Sequence, residues 1–113
     1  MASIAPSNPV ITLVNVFRLR DPADQQRLVD LLVEATEATM RHQPGYVSAN
    51  IHKSLDGTHV VNYAQWRSTQ QFENMLQNAE AQVHMQRAAE LAEVEPHLYA
   101  VVYSDGEAGS AAD

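Results

Sequence analysis

Tyr46-Val47-Ser48-Ala49-Asn50-Ile51-His52-Lys53-Ser54-Leu55-Asp56-Gly57-Thr58-His59-Val60-Val61-Asn62-Tyr63-Ala64-Gln65-Trp66-Arg67 is the stretch on which the fold turns. Two strand-like runs, Tyr46 to Ser54 and His59 to Arg67, flank Leu55-Asp56-Gly57-Thr58, and Asp-Gly between such runs is a strong hairpin signal. An antiparallel pair is therefore expected. Along its second arm, Val60, Asn62, Ala64 and Trp66 project to one face while Val61, Tyr63 and Gln65 project to the other. Neither set has the composition of a fully solvated face.

Upstream, Pro9 to Leu19 is dense in Val10, Ile11, Thr12, Val14 and Val16 and reads as a strand covered on both sides. Asp21 then offers an N-cap before Pro22, and Leu28, Leu31, Leu32, Ala35 and Ala38 recur at helical spacing, which predicts a long amphipathic helix ending near His42. Pro44-Gly45 stops it. Downstream, Ser68-Thr69-Gln70-Gln71 has the form of a capping box, and Phe72, Met75 and Leu76 give the following helix an apolar side. Asn78 is a cap for a further short helix through about Ala92 that carries Val83, Ala88 and Leu91 inward. Leu98 to Tyr103 reads as a last strand after Pro96. The order strand, helix, strand, strand, helix, strand is that of an α+β, ferredoxin-like split βαβ fold with an antiparallel four-stranded sheet. Its uncovered face is suited to a second copy of the sheet, which predicts a homodimer. The organisation expected is a flexible N-terminus over 1–8, one domain over 9–104 and a small polar, disordered tail over 105–113.

Composition removes whole classes of function. The 113 residues make one modest domain, and 14 acidic against 7 basic side chains give a net charge of −7 that disfavours nucleic acid. No apolar run approaches the roughly 18–20 residues that span a bilayer, and the first residues lack the features of a signal peptide, so a soluble, cytoplasmic protein without membrane partners is expected. The absence of cysteine excludes thiolate catalysis, disulfides and cysteine-bound metals. The 4 glycines form neither a phosphate loop nor a dinucleotide fingerprint, and the 5 histidines are too scattered for a metal-ligand set. No cofactor and no metal is expected.

What chemistry the residues offer is concentrated in few places. Asn62 and Trp66 share a strand face, so a carboxamide and an indole stand together, a pairing that can hold a planar phenol, quinone or enolate oxygen while the indole packs on its rings. Burial of Trp66 in an ordinary core with Asn62 bonded to backbone is the plainer alternative. His52, on the parity of Ser48 and Asn50, either faces a cavity or pairs across strands. His84, Arg87, Ala88 and Leu91 fall on one helical stripe, where a titrating group and a fixed cation suit a substrate that becomes anionic. A surface pairing of Arg87 with Glu80, Glu90 or Glu93 is the competing reading.

Asn15, the segment Gln43 to Ala49, and above all His52 to Trp66 with its Asp-Gly turn and Asn-Tyr-Ala-Gln-Trp run, resemble the antibiotic biosynthesis monooxygenase family over about residues 10–103. The resemblance implies the dimeric α+β barrel form of the ferredoxin-like fold. Within the family, the run is similar to that of small bacterial enzymes that oxidise anthrones or naphthols to quinones with molecular oxygen, without flavin, haem or metal. It implies that Asn62 and Trp66 line the substrate pocket, with Asn62 on the phenolate or enolate oxygen, and that an arginine of those enzymes falls at about Arg87. Those enzymes carry a tyrosine where this chain has Phe72, so no proton transfers there. A haem-degrading branch of the fold is matched at Asn15 and His84, but Met75 stands where that branch has a tryptophan.

These readings nominate Asn62, Trp66, His84 and Arg87 as catalytic, and Asn15, His52, Phe72 and Met75 as substrate-binding. The activity expected is cofactor-independent oxidation of a polycyclic phenol or anthrone to a quinone, with a small aromatic substrate and oxygen as partners. The alternatives are a non-catalytic binder of small aromatic ligands and a haem-binding barrel.

Overall fold

A computed structural model describes residues 10–106. The expected tail over 105–113 lies largely outside the described residues, as does the expected flexible stretch over 1–8. Four strands, β1 (Ile11–Leu19), β2 (Tyr46–Lys53), β3 (His59–Trp66) and β4 (Ala92–Tyr99), form an antiparallel sheet in the order β2-β3-β1-β4. Helices α1 (Gln25–Ala38), α2 (Thr69–Leu76) and α3 (Ala79–Leu91) complete the ferredoxin-like order.

The local signals act as their chemistry requires. Asp21 accepts from the Ala23 amide ahead of a 3-10 turn at Pro22–Asp24, Ser68 accepts from Gln71 N at the start of α2, and Asn78 accepts from Ala81 N at the start of α3. At the hairpin, Asp56 Oδ1 accepts from Ser54 Oγ, Thr58 N and Thr58 Oγ1, and these bonds hold its carboxyl down at about 2. Gly57 takes the positive φ, +83°, that the turn requires.

Two expectations are corrected. The first helix ends at Ala38, because Thr39 leaves the helical region at φ −131°, and a separate 3-10 turn over Met40–His42 leads to Gln43. The last strand begins at Ala92, six residues before Leu98, and contains Pro96. That proline is tolerated because β4 lies at the sheet edge and needs no ladder on its outer side.

Leu13, Ala64, Trp66, Phe72, Met75 and Ala81 form one buried cluster, and Phe17, Leu19, Leu28, Val60, Ala88 and Ala92 form the other. Both lie on the helix-covered face. Gly45 joins the 3-10 turn to β2 at φ +88°, and a Cβ there would stand 2.5 Å from the Cβ of Gln71. Gly45→Ala is therefore expected to cost at least about 1–3 kcal/mol, since strain in the left-handed region adds to the clash. Thermal unfolding monitored by circular dichroism measures it, with a drop of several degrees expected.

Candidate active site

The site is built between the sheet and the helices. β1 and β3 pair so that Asn15 lies directly opposite Asn62, which places their Cβ atoms about 5 Å apart on the helix-covered face. Their Oδ1 atoms are buried and have no hydrogen-bond partner. Two pleats along β3, Trp66 is 2 % exposed and meets Tyr46 and Phe72 edge-on, with ring centroids at 5.7 and 6.0 Å. Burial pushes the Tyr46 phenol up against the opposing influence of Arg41, so it stays protonated at neutral pH.

These groups line a cavity of about 410 Å³. Apart from Thr36, His84 and His97 its remaining walls are apolar: Leu13, Phe17 and Ala64 from the sheet, Leu32 and Ala35 from α1, Met75 from α2, Met85 and Ala88 from α3, and Val94 and Leu98 from β4. The volume falls in the range of about 300–1,000 Å³ typical of small-molecule sites. His84 enters from α3, its Nε2 sharing a 3.2 Å hydrogen bond with Thr39 Oγ1 while its Nδ1 is buried and unpaired. Asn15, Asn62 and His84 thus each bring to a largely apolar chamber wall a side chain with one buried, unpaired polar atom, an arrangement that is costly in the free protein.

Six of the eight nominated residues, Asn62, Trp66, His84, Asn15, Phe72 and Met75, line this chamber. Two do not. His52 is exposed on the opposite face of the sheet: a bulge between Tyr46 and Ser48 shifts the register of β2, so that Ile51 pairs with Asn62 and His52 with Val61. Arg87 is exposed and lines a charged groove with Arg27, Asp30, Glu34 and Glu90. It precedes Ala88 by one residue, about 100° around the helix, and the cavity side of α3 is taken by His84, Met85 and Ala88. Sequence reading missed Tyr46, Met40, Met85 and Thr39. For Tyr46 a signal existed, since it follows the Pro44-Gly45 stop and opens the strand paired with Trp66.

The profile of the family described as "Antibiotic biosynthesis monooxygenase" matches residues 10–95. The chain belongs to this family. It is accordingly an oxidoreductase. The family member tetracenomycin-F1 monooxygenase of Streptomyces glaucescens is 44% identical over 106 residues, covering 94% of this chain and 94% of its own. The monooxygenase ActVA-Orf6 of Streptomyces coelicolor, solved with the ligand nanaomycin D, superposes with a TM-score of 0.77 at 26% identity, over 89% of this chain and 95% of that one. SnoaB of Streptomyces nogalater, a cofactor-independent oxygenase, shares the fold with a TM-score of 0.73 at 23% identity, covering 88% of this chain and 99% of its own. Among the described residues, no helix is long and apolar enough to cross a membrane.

Proposed function

We propose that this family member is a cofactor-independent monooxygenase that converts a polycyclic phenol or anthrone to a quinone in aromatic polyketide tailoring. The observation that carries the reading is a largely apolar cavity whose wall holds Trp66 together with Asn15, Asn62 and His84, each of the last three with a buried polar atom that has no partner. The names of its relatives, a tetracenomycin-F1 monooxygenase and a cofactor-independent oxygenase, support the substrate class and the absence of a cofactor.

In this mechanism the substrate is its own reductant. Loss of a proton gives a resonance-stabilised anion, which passes one electron to oxygen and recombines with the resulting superoxide to form a carbon–oxygen bond. The peroxide takes up a proton. Loss of the remaining hydrogen from that carbon and cleavage of the O–O bond release water and leave a carbonyl. One oxygen atom enters the product, the other leaves as water, and both C–H bonds of an anthrone methylene supply the four electrons. The protein orients the rings against Trp66, holds the oxyanion with the amide N–H groups of Asn62 and Asn15, and excludes bulk water, while His84 assists the movement of charge.

Oxygen uptake and visible spectra with chelator-treated protein and a simple anthrone test this. Quinone formation well above autoxidation is expected, with one label from ¹⁸O₂ in the product. Tight binding of the anthrone without acceleration would instead favour a binding protein.

The reading includes a homodimer formed through the face of the sheet opposite the cavity. Ser48, Gln65 and Thr12 form one cross-strand row there, and Gln65 and Thr12 are only 0 and 3 % exposed, with Ser48 Oγ, both amide atoms of Gln65 and Thr12 Oγ1 lacking partners. The row continues to Tyr99, opposite Thr12 on β4, which is 51 % exposed and open to a second sheet. Val14, at the centre of that face, gives the test: Val14→Lys is expected to raise the dimer dissociation constant by roughly 100-fold or more, because a buried unpaired ammonium costs several kcal/mol. Sedimentation equilibrium measures it. A wild-type chain that sediments as a monomer throughout the micromolar range would refute the dimer.

A further inference from the structure

We infer that Thr39 is a positioning residue that fixes His84, a residue of the cavity wall, as its Nδ1–H tautomer, so that the second ring nitrogen is a hydrogen-bond donor and not a base. The inference rests on the monooxygenase reading for its use, but its geometry stands apart from it. Thr39 is 2 % exposed and lies where α1 ends. One turn earlier, Thr36 donates its hydroxyl to the Leu32 carbonyl at 2.8 Å, as helical threonines commonly do. Thr39 has left the helical region, and its hydroxyl meets His84 Nε2 at 3.2 Å instead.

The direction of that bond follows from counting what each choice leaves idle. If Nε2–H donated to Thr39 Oγ1, the buried Thr39 hydroxyl proton would have no acceptor and the buried Nδ1 lone pair no donor. With Thr39 donating to Nε2, one group alone is unmatched, the Nδ1–H. Each idle buried group is unfavourable, so the second arrangement wins. His84 lines the same cavity as Asn15 and Asn62, and its Nδ1 is buried. The carboxamides of Asn15 and Asn62 bring amide N–H donors to the same lining. The ligand class that matches such donors carries a carbonyl or phenolate oxygen able to accept from them.

The role also separates two chemistries. As a donor, His84 stabilises negative charge that develops on the substrate oxygen. As a base it would need Nδ1 free of a proton, which the Thr39 bond disfavours.

Ring-nitrogen NMR of the ligand-free protein at neutral pH tests the tautomer without reference to turnover. Nδ1 of His84 is expected to be protonated and Nε2 bare in the wild type and in Thr39→Ser, with Thr39→Val shifting the ring toward Nε2–H. An Nε2–H ring in the wild type would overturn the proposal, even if Thr39→Val failed to fold; so would a Thr39→Val protein whose ring matched the wild type. In turnover, His84→Asn keeps an N–H near the Nδ1 position but no base, whereas His84→Leu keeps neither. Activity of His84→Asn within about tenfold of wild type, against a loss of roughly 100-fold in His84→Leu, is expected for a donor. Equal loss in both would reject the donor role. Should no anthrone be oxidised by the wild type, the monooxygenase reading fails while the NMR result still decides the tautomer.

Discussion

Asn62→Ala is expected to lower kcat by roughly 100-fold or more, the usual consequence of removing one oxyanion donor, while the melting temperature stays level or rises slightly. The two halves of that expectation have one cause. Asn62 Oδ1 is buried and unpaired, so in the ligand-free protein the carboxamide makes no bond that alanine would break and carries a desolvation cost that alanine removes. Stability is given up at this position for a group that matters once substrate is bound. Asn15 is in the same condition directly across the sheet, and the two amides are close enough to share one ligand oxygen. Their effects on kcat should therefore be less than additive in the double variant. Steady-state quinone formation and thermal melts on Asn62→Ala, Asn15→Ala and the pair measure both halves. A fall in melting temperature of several degrees with kcat unchanged would make Asn62 a structural residue and remove it from the site.

The pairing of Asn62 with Trp66 was legible because a strand has a period of two, and two residues four apart must share a face whatever the strand packs against. The identity of the neighbouring strand was equally accessible, since the Asp-Gly turn dictates which run folds back on which. What the period could not reveal is an inserted residue. On simple alternation Tyr46 and His52 share a face, yet Tyr46 pairs with Trp66 at the cavity and His52 with Val61 on the other side, because the bulge at Val47 reverses the parity between them. No turn residue marks that bulge in the sequence.

On α3 the difficulty is different. A stripe at i, i+3 and i+4 is wide enough to include both His84 and Arg87, and only the position of α1 decides which edge of the stripe turns inward. The edge carrying Arg87 falls among Asp30, Glu34 and Glu90. Thr39 was invisible for a related reason: its importance comes from a break in the helix and from a partner 45 residues away, neither of which a local pattern encodes. The family resemblance named Asn15 and Asn62, and the β1–β3 ladder sets them opposite each other on the cavity wall.

Trp66 presents the opposite balance to Asn62, and its substitution is expected to damage folding before it damages chemistry. The indole is 2 % exposed, packs edge-on against both Tyr46 and Phe72, and closes the cluster of Leu13, Ala64, Met75 and Ala81. Trp66→Ala is expected to cost about 3–5 kcal/mol through lost burial and the void left behind. Against a total stability of roughly 5–15 kcal/mol, that lowers the melting temperature on the order of 15 °C. Its activity would then report misfolding as much as catalysis. Trp66→Phe separates the two, since a phenyl ring retains part of the packing with Tyr46 and Phe72 but presents a smaller platform to the substrate. The expected result is a melting temperature much closer to wild type, with KM raised more than kcat is lowered, because ring stacking contributes to the bound substrate and to the transition state alike. Trp66 is the chain's 1 tryptophan, so its fluorescence reports occupancy directly. An aromatic ligand stacked on the indole should quench that emission in the wild type. Saturating ligand that left the emission unchanged would place the rings away from Trp66 and reassign it from platform to core.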